Sequence, residues 1–412
     1  MLNLMLPETC RFSSLSRWID YHNLDKSEWN VLTIKIPYYC YLDCTSIAYL
    51  AAWGMSNVKS GKTINYIGSP RVLQYLSRMD LFKLIGFEYD EQFRRRTEVG
   101  RFIPLKKINN SKDVALIVND ICDLITHHFD NVRAIIPAFE WTINEIIDNI
   151  INHASIKSPA AVCAQYREDK NRLEIGIVDC GRGIKASLDE SFTLKDHRHA
   201  LTEALKRGVT RNSDVGQGNG LAGSKEIILN NKGSFCLWSG DAKYQIDNGI
   251  DLSASTKCNM QGTAIFLSLD VNKPVDLSTT FIGRSGWSYI DAECERIVEQ
   301  GGIKVLDECR DTATRETAKR FRRKILAMLP DMDVKLYIDF LGVRRATSSF
   351  LDELLGRLIL EIGIDEFPDK IGVVNADNSL MDMANVVIKQ RLYGLEDVQL
   401  AKRTLFSIKW RK

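Results

Sequence analysis

The sequence predicts an α/β fold arranged as three successive layered units, and three observations predict it. Short apolar runs of strand character alternate with longer segments of helical periodicity. At 412 residues the chain is longer than one hydrophobic core ordinarily serves. The polar cluster Asn109-Asn110-Ser111 and a second break at Pro274 then divide it into 1–108, 109–274 and 275–412.

In the first unit, 31–37 alternates as a strand, 44–55 has helical composition, 63–68 is a second strand and 71–86 a helix. The charged stretch 88–101, with Arg94, Arg95 and Arg96, reads as a surface loop. The second unit opens with apolar-periodic helices at 113–129 and 132–154, followed by strands at 161–166 and 173–179. The polar stretch 184–215 shows no strong hydrophobic period. A glycine loop at 216–220 leads into a helix at 221–231, and strands at 234–239 and 263–269 close the unit. The third unit alternates again, with strands at 303–306, 335–340 and 370–375 and helices at 315–329, 350–363 and 381–393.

Composition narrows the function classes. Hydrophobic residues make up 45% and charged residues 26%, an ordinary globular balance. The 55 basic and 53 acidic side chains nearly cancel, so no global charge draws the chain to nucleic acid or an anionic membrane. Met1–Pro7 lacks the basic and long apolar regions of a signal peptide, and no run of about 18 apolar residues predicts a membrane span. The ten cysteines form no C-x-x-C pair, and Cys40 and Cys44 have no second pair at metal spacing. They read as reduced, mostly buried thiols, and a cytoplasmic location is expected.

The chemistry concentrates in the second unit. On the helix around Asn149, Ile143, Ile146, Ile147, Ile150 and Ile151 share one face, and Glu145, Asp148, Asn149, Asn152 and His153 the other. Glu145 and Asn149, four apart, project a carboxylate and an amide side by side. That pair suits a Mg²⁺-nucleotide, the amide ligating the ion and the carboxylate polarising a water. A solvated amphipathic face is the plain alternative. A strand then delivers Asp179, followed by Cys180-Gly181-Arg182-Gly183, where the carboxylate can accept from an adenine amino group and Gly181 and Gly183 admit the base. A tight turn is the alternative there. Third, Gly216-Gln217-Gly218-Asn219-Gly220-Leu221 opens a helix whose amides can cradle phosphates.

In that order, with Gly262-Thr263 on the last strand, these segments resemble the N, G1, G2 and G3 boxes of the GHKL superfamily: gyrase-type topoisomerases, mismatch-repair ATPases, heat-shock chaperones and histidine kinases. The resemblance implies a central Bergerat α/β sandwich. Asp179 would bind adenine with Thr263 behind it, and Asn149 would ligate Mg²⁺. Gly216, Gly218 and Gly220, with Leu221 after them, would cover the phosphates of ATP, Glu145 would be the general base, and 184–215 a mobile lid. Gly61-Lys62-Thr63 is not a P-loop, because its upstream glycine is misplaced and a strand follows it. Nor is 216–220 a dinucleotide fingerprint, since no strand precedes it.

The flanks refine the class. His127 and His128 lie on the unit's own first helix, too near Glu145 for the phospho-accepting histidine of a histidine kinase. The stretch Glu145–Ala154 resembles the anti-sigma-factor serine kinases. Tyr337 to Leu354 resembles a STAS-like domain, the fold of anti-sigma-factor antagonists, with Ser348 and Ser349 at that family's phosphorylated position. The stretch Tyr41 to Leu50 has a similar layout, but Cys44 stands in place of the serine. Helix capping by Ser349 with Asp352 is the simpler reading of the C-terminal serines, and a solvated face that of the basic run 319–324. The resemblance implies an ATP-binding regulatory switch with slow Mg²⁺-dependent hydrolysis and STAS-like layers on both flanks. A serine kinase and an ATP-gated interaction module without turnover are the alternatives. Expected partners are nucleotide and a protein bound through the STAS-like layers, with a homodimer as one arrangement and neither membrane nor nucleic acid.

Overall fold

The computed structural model describes residues 2–21, 29–128, 135–153, 158–206, 209, 220–247, 250–275, 302–309, 311–331 and 335–393. Its architecture is α/β, with three principal sheets in succession along the chain.

The first sheet is parallel, in the order β1-β3-β5, from β1 (Leu2–Met5), β3 (Val31–Lys35) and β5 (Thr63–Ile67). A small pair, β2 (Thr9–Cys10) with β4 (Tyr41–Leu42), lies beside it. The helices of this unit are α1 (Phe12–Tyr21), α2 (Cys44–Lys59), α3 (Pro70–Arg78) and α4 (Leu81–Ile85). The single helix expected at 71–86 is two, because Asp80 takes the left-handed conformation at φ 59° and breaks the ladder. Nearly all of α2 from Cys44 to Met55 is buried. A helix apolar on every side must be covered on every side. Here its own sheet covers one side and the second sheet the other.

That second sheet is antiparallel throughout, in the order β6-β7-β8-β10-β9. Its strands are β6 (Phe102–Lys107), β7 (Ala160–Arg167), β8 (Arg172–Asp179), β9 (Ser234–Asp247) and β10 (Ile250–Asp270). Alternate residues divide its faces. Val162, Ala164, Ile175, Ile177 and Leu267 pack toward α5 (Ser111–Thr126), α6 (Ile136–His153) and α9 (Gly220–Asn230). Ala161, Cys163, Val178, Trp238 and Ala264 pack toward α2. Burial on both faces turns β7 and β8 into near-continuous apolar runs. The β9–β10 hairpin is far longer than the expected 234–239 and 263–269, because Ile250–Lys257 is largely exposed, Ile250 and Leu252 included, and only a short alternation marks it.

The stretch expected to be an irregular lid is largely folded where it is described. It forms α7 (Gly183–Leu188) and α8 (His197–Ala204), the latter capped by Asp196, whose carboxylate accepts from the His199 amide at 2.7 Å. Leu188, Leu194, Ala200 and Ala204 make a small core of their own. Helices this short never sustain the period that would reveal them. Gly216 and Gly218 lie outside the described residues.

The third sheet repeats the first. It is parallel, in the order β11-β12-β13, from β11 (Gly302–Lys304), β12 (Leu336–Asp339) and β13 (Ile371–Val374). Its helices are α10 (Val305–Glu308), α11 (Arg315–Met328), α12 (Ser348–Leu351), α13 (Arg357–Ile362), α14 (Phe367–Lys370) and α15 (Asn378–Tyr393). A π-helical turn, Asp352–Gly356, joins α12 to α13. Strand, helix, middle strand, loop, buried helix, third strand and helix thus occur in the same order in both flanks. In each, the helix after the middle strand docks on the central unit.

Candidate functional site

Helix α6 carries the first half of the site. Its apolar stripe, Ile143, Ile146 and Ile147, is buried in the core and leaves Glu145, Asp148 and Asn149 half-buried on the other side. The start of α9 approaches this edge closely. A Cβ on Gly220 would lie 2.7 Å from Glu145 Oε2 and 3.5 Å from Asn149 Nδ2, so a larger residue there would push the Glu145 carboxylate aside. Leu221, next to it, is half-buried against the apolar residues of α7 and α8. Glu145, Asn149 and Gly220 therefore converge as the motif spacing predicts. The side chains of Asn152 and His153 lie outside the described residues.

The second half sits at the end of β8. Asp179 is 3% exposed, pairs in register with Thr263 on β10, and accepts from the Gly181 amide at 2.7 Å. Burial pushes its carboxyl up to about 7, against the lowering effect of the Gly181 amide and the Thr263 hydroxyl and amide. Gly262, at φ 88°, lies so close that a Cβ there would fall 2.0 Å from the Asp179 carbonyl oxygen. Ser239 ties the turn together, donating to Gly262 O at 2.8 Å and accepting from the Ile184 amide at 2.9 Å. Gly183, at φ 78°, packs against that hydroxyl. No motif marks Ser239; its role depends on two strands meeting.

The contact that sequence reasoning missed comes from the C-terminal unit. Ser348 Oγ donates to Glu145 Oε1 at 2.9 Å, and Ser349 Oγ donates to Asp148. Neither serine caps the helix. That role belongs to Thr347, whose hydroxyl accepts from the Phe350 amide at 3.1 Å and donates to Ala313 O at 2.9 Å. The expected Ser349 cap is therefore corrected, because the hydroxyl one residue before α12 already occupies that geometry. Burial, reinforced by Asp148, pushes the Glu145 carboxyl up to about 7, with the Ser348 hydroxyl opposing it. Burial likewise raises Asp148.

Behind this contact lies an ionic brace. Arg315, first residue of α11, donates to Asp352 at 2.8 Å, and Arg391 grips the same carboxylate at 2.7 and 2.6 Å. Burial raises Asp352, but the two guanidinium groups outweigh it and hold its carboxyl below the usual range. Burial works against the charge of Arg315, while Asp352, then Asp148 and Glu145, favour it. Among the described residues its Nε has no hydrogen-bond partner.

The N-terminal unit meets the central sheet differently. The start of α2 rests on Gly176, where a Cβ would fall 2.3 Å from the Cys44 carbonyl carbon. Asp43 caps α2, accepting from the Ser46 amide at 2.8 Å and the Phe12 amide at 2.7 Å. Cys44 donates to Glu174 O at 3.4 Å and is fully buried, so the residue standing in place of a serine serves as packing.

The class of the C-terminal unit follows from its parallel β-α order and the helix whose first turn holds Ser348 and Ser349. Residues 317–381 match the family profile of a STAS-like domain of unknown function (DUF4325). The chain thus contains a C-terminal STAS-like domain. No curated protein matches the chain. Among the described residues no helix is long and apolar enough to cross a membrane.

Proposed function

We propose that this protein is an ATP-binding regulatory switch of the GHKL type, with a central Bergerat layer at about 109–274 and the C-terminal STAS-like domain seated on its general base. One observation carries the reading: Glu145, Asn149 and Gly220 meet along the C-terminal half of α6, and Ser348 of the C-terminal unit donates its hydroxyl to Glu145. Asp179, buried at the end of β8 with Gly262 pressed against it, supports an adenine site of fixed shape. Asn149 supplies an amide oxygen for Mg²⁺, and Gly220 leaves backbone room for phosphates. Bound Mg²⁺-ATP would supply the electrophilic γ-phosphorus and a good leaving group.

Glu145 accepts a proton in this scheme. While Ser348 donates to Oε1 it competes with a water molecule for the same carboxylate, so docking of the STAS-like domain would oppose hydrolysis and undocking would favour it. The groups buried at the contact support such movement. Among the described residues, Asn144, one turn of α6 from both Glu140 and Asp148, has neither side-chain nitrogen nor oxygen hydrogen-bonded, and the Arg315 Nε has no partner. Unpartnered buried polar atoms cost about 1–3 kcal/mol each, which lowers the barrier to parting the surfaces.

A second reading draws on the same 2.9 Å contact. If Glu145 takes the proton of Ser348 rather than of water, the Ser348 oxygen forms the new bond to phosphorus as the bond to the β-phosphate oxygen breaks and ADP leaves. Incubation with γ-labelled ATP distinguishes the two. Hydrolysis predicts free labelled phosphate, falling about 100-fold in Glu145→Ala while nucleotide affinity stays within a few-fold. Phosphotransfer predicts label on Ser348, lost in Ser348→Ala. Wild-type hydrolysis by Glu145→Ala, with no labelled protein, would remove Glu145 from both roles.

A further inference from the structure

A cleft of about 1110 Å³, with mixed polar and apolar walls, opens between the central unit and the STAS-like domain. It lies beside the N-terminal half of α6, away from Glu145 and Asn149, and its size is that of small-molecule sites. Asp123 and Glu140 line it from the central unit, and Arg344, Arg345, Asp377 and Asp382 from the C-terminal one. Four carboxylates against two guanidinium groups leave a formal excess of two negative charges. Arg345 is already committed, donating to Asn119 O at 3.1 Å and Oδ1 at 2.9 Å and lying 3.4 Å from Asp123.

Glu140 is the informative residue. It is 4% exposed and lines the cleft, and among the described residues its carboxylate has no hydrogen bond or ion pair. Burial pushes it up to about 7, with Arg345 lowering and Asp377 raising it. A buried carboxylate without a donor costs stability unless something supplies one. Among the described residues no three such groups converge closely enough to hold a metal ion, so the negative charge is spread along the cleft.

The geometry points to this cleft as a binding site for a small organic polyamine, whose ammonium groups would pair with Glu140 and the carboxylates of the opposite wall. Separated ammonium groups match separated carboxylates where a single point charge does not. Because the two walls belong to different units, the ligand would hold the STAS-like domain against α6. The inference stands apart from the nucleotide reading.

Calorimetric titration of the full chain with spermidine, at constant ionic strength and without nucleotide, tests it. Saturable binding at one site is expected, weakened about tenfold or more by Glu140→Gln, since a charge-assisted hydrogen bond is lost. Should Glu140→Gln fail to fold, Asp382→Asn carries the same expectation. Asp169→Asn, on an exposed carboxylate outside the cleft, should bind as wild type. Absence of saturable heat, unchanged affinity in the cleft variants, or equal weakening by Asp169→Asn would each overturn the assignment.

Discussion

Gly262 occupies a position that no other residue fits, with φ at 88° and the Asp179 carbonyl where a Cβ would be. Gly262→Ala should destabilise the fold by about 2–4 kcal/mol, through overlap and a left-handed backbone together. Thermal denaturation should show a drop of several degrees; an unchanged midpoint would mean that β10 can shift away from Asp179. The carboxylate itself makes a different prediction. Asp179→Asn removes a charged acceptor from a buried site, which is worth about 1.5–3 kcal/mol. Calorimetry should therefore show ATP affinity weakened about 10- to 100-fold, and equal affinities would end the adenine assignment.

At the scale of elements, the decisive contact is α12 on α6. Burial raises the Glu145 carboxyl from 4.5 to about 7 in this structure, and in the proposed switch undocking relieves part of that burial and lowers it. In the window just below 7 the docked form then holds more of the proton than the open form. Docking is therefore strongest at the acid end of the window and weakens as pH rises through 7. Glu140, also raised to about 7, and Asp148, raised as well, act in the same sense. Asp352 is lowered, so its effect falls below pH 3.8 and leaves this window untouched. Hydrogen exchange over 345–362, corrected for intrinsic rates, should be slower at pH 6 than at pH 8. Faster exchange at pH 6 would contradict the electrostatic account. Ser348→Ala, which leaves Glu145 Oε1 without its donor, should loosen the same segment at both pH values.

Across the whole molecule, two flanks of the same β-α order each share an apolar core with the central unit but differ in the polar groups they bring to it. The N-terminal unit shares its core with the central sheet through α2, seated against Gly176 with backbone and sulfur contacts. The STAS-like domain meets α6 partly through carboxylates, hydroxyls and arginines. Apolar surfaces part reluctantly, and both seams are apolar in part, but only the C-terminal one also sets hydroxyls on the Glu145 and Asp148 carboxylates, where a bound nucleotide would act. A non-hydrolysable ATP analogue should therefore change exchange protection around Ser349 and leave the segment around Thr45 as it was. Equal changes in both flanks, or none around Ser349, would count against a switch working through the C-terminal domain alone.

Local chemistry made much of this readable in advance. The strands at 31–35, 63–67 and 173–179 show themselves because they are apolar and bounded by turn residues. Glu145 and Asn149 declare themselves by helical spacing, and Asp179 and Gly220 by the glycines around them. What escaped were elements too short or too exposed to stand out: the short β1, the edge strand β6 and the exposed arm of β10. The paired helices α7 and α8 escaped for the same reason. Ser348 could be singled out as a STAS-type serine, yet its partner could not. Glu145 lies 203 residues earlier in the chain. Periodicity and spacing report what a residue's near neighbours require of it. Which distant surfaces meet is decided by the packing of whole layers, so only the tertiary structure sets that hydroxyl on that carboxylate.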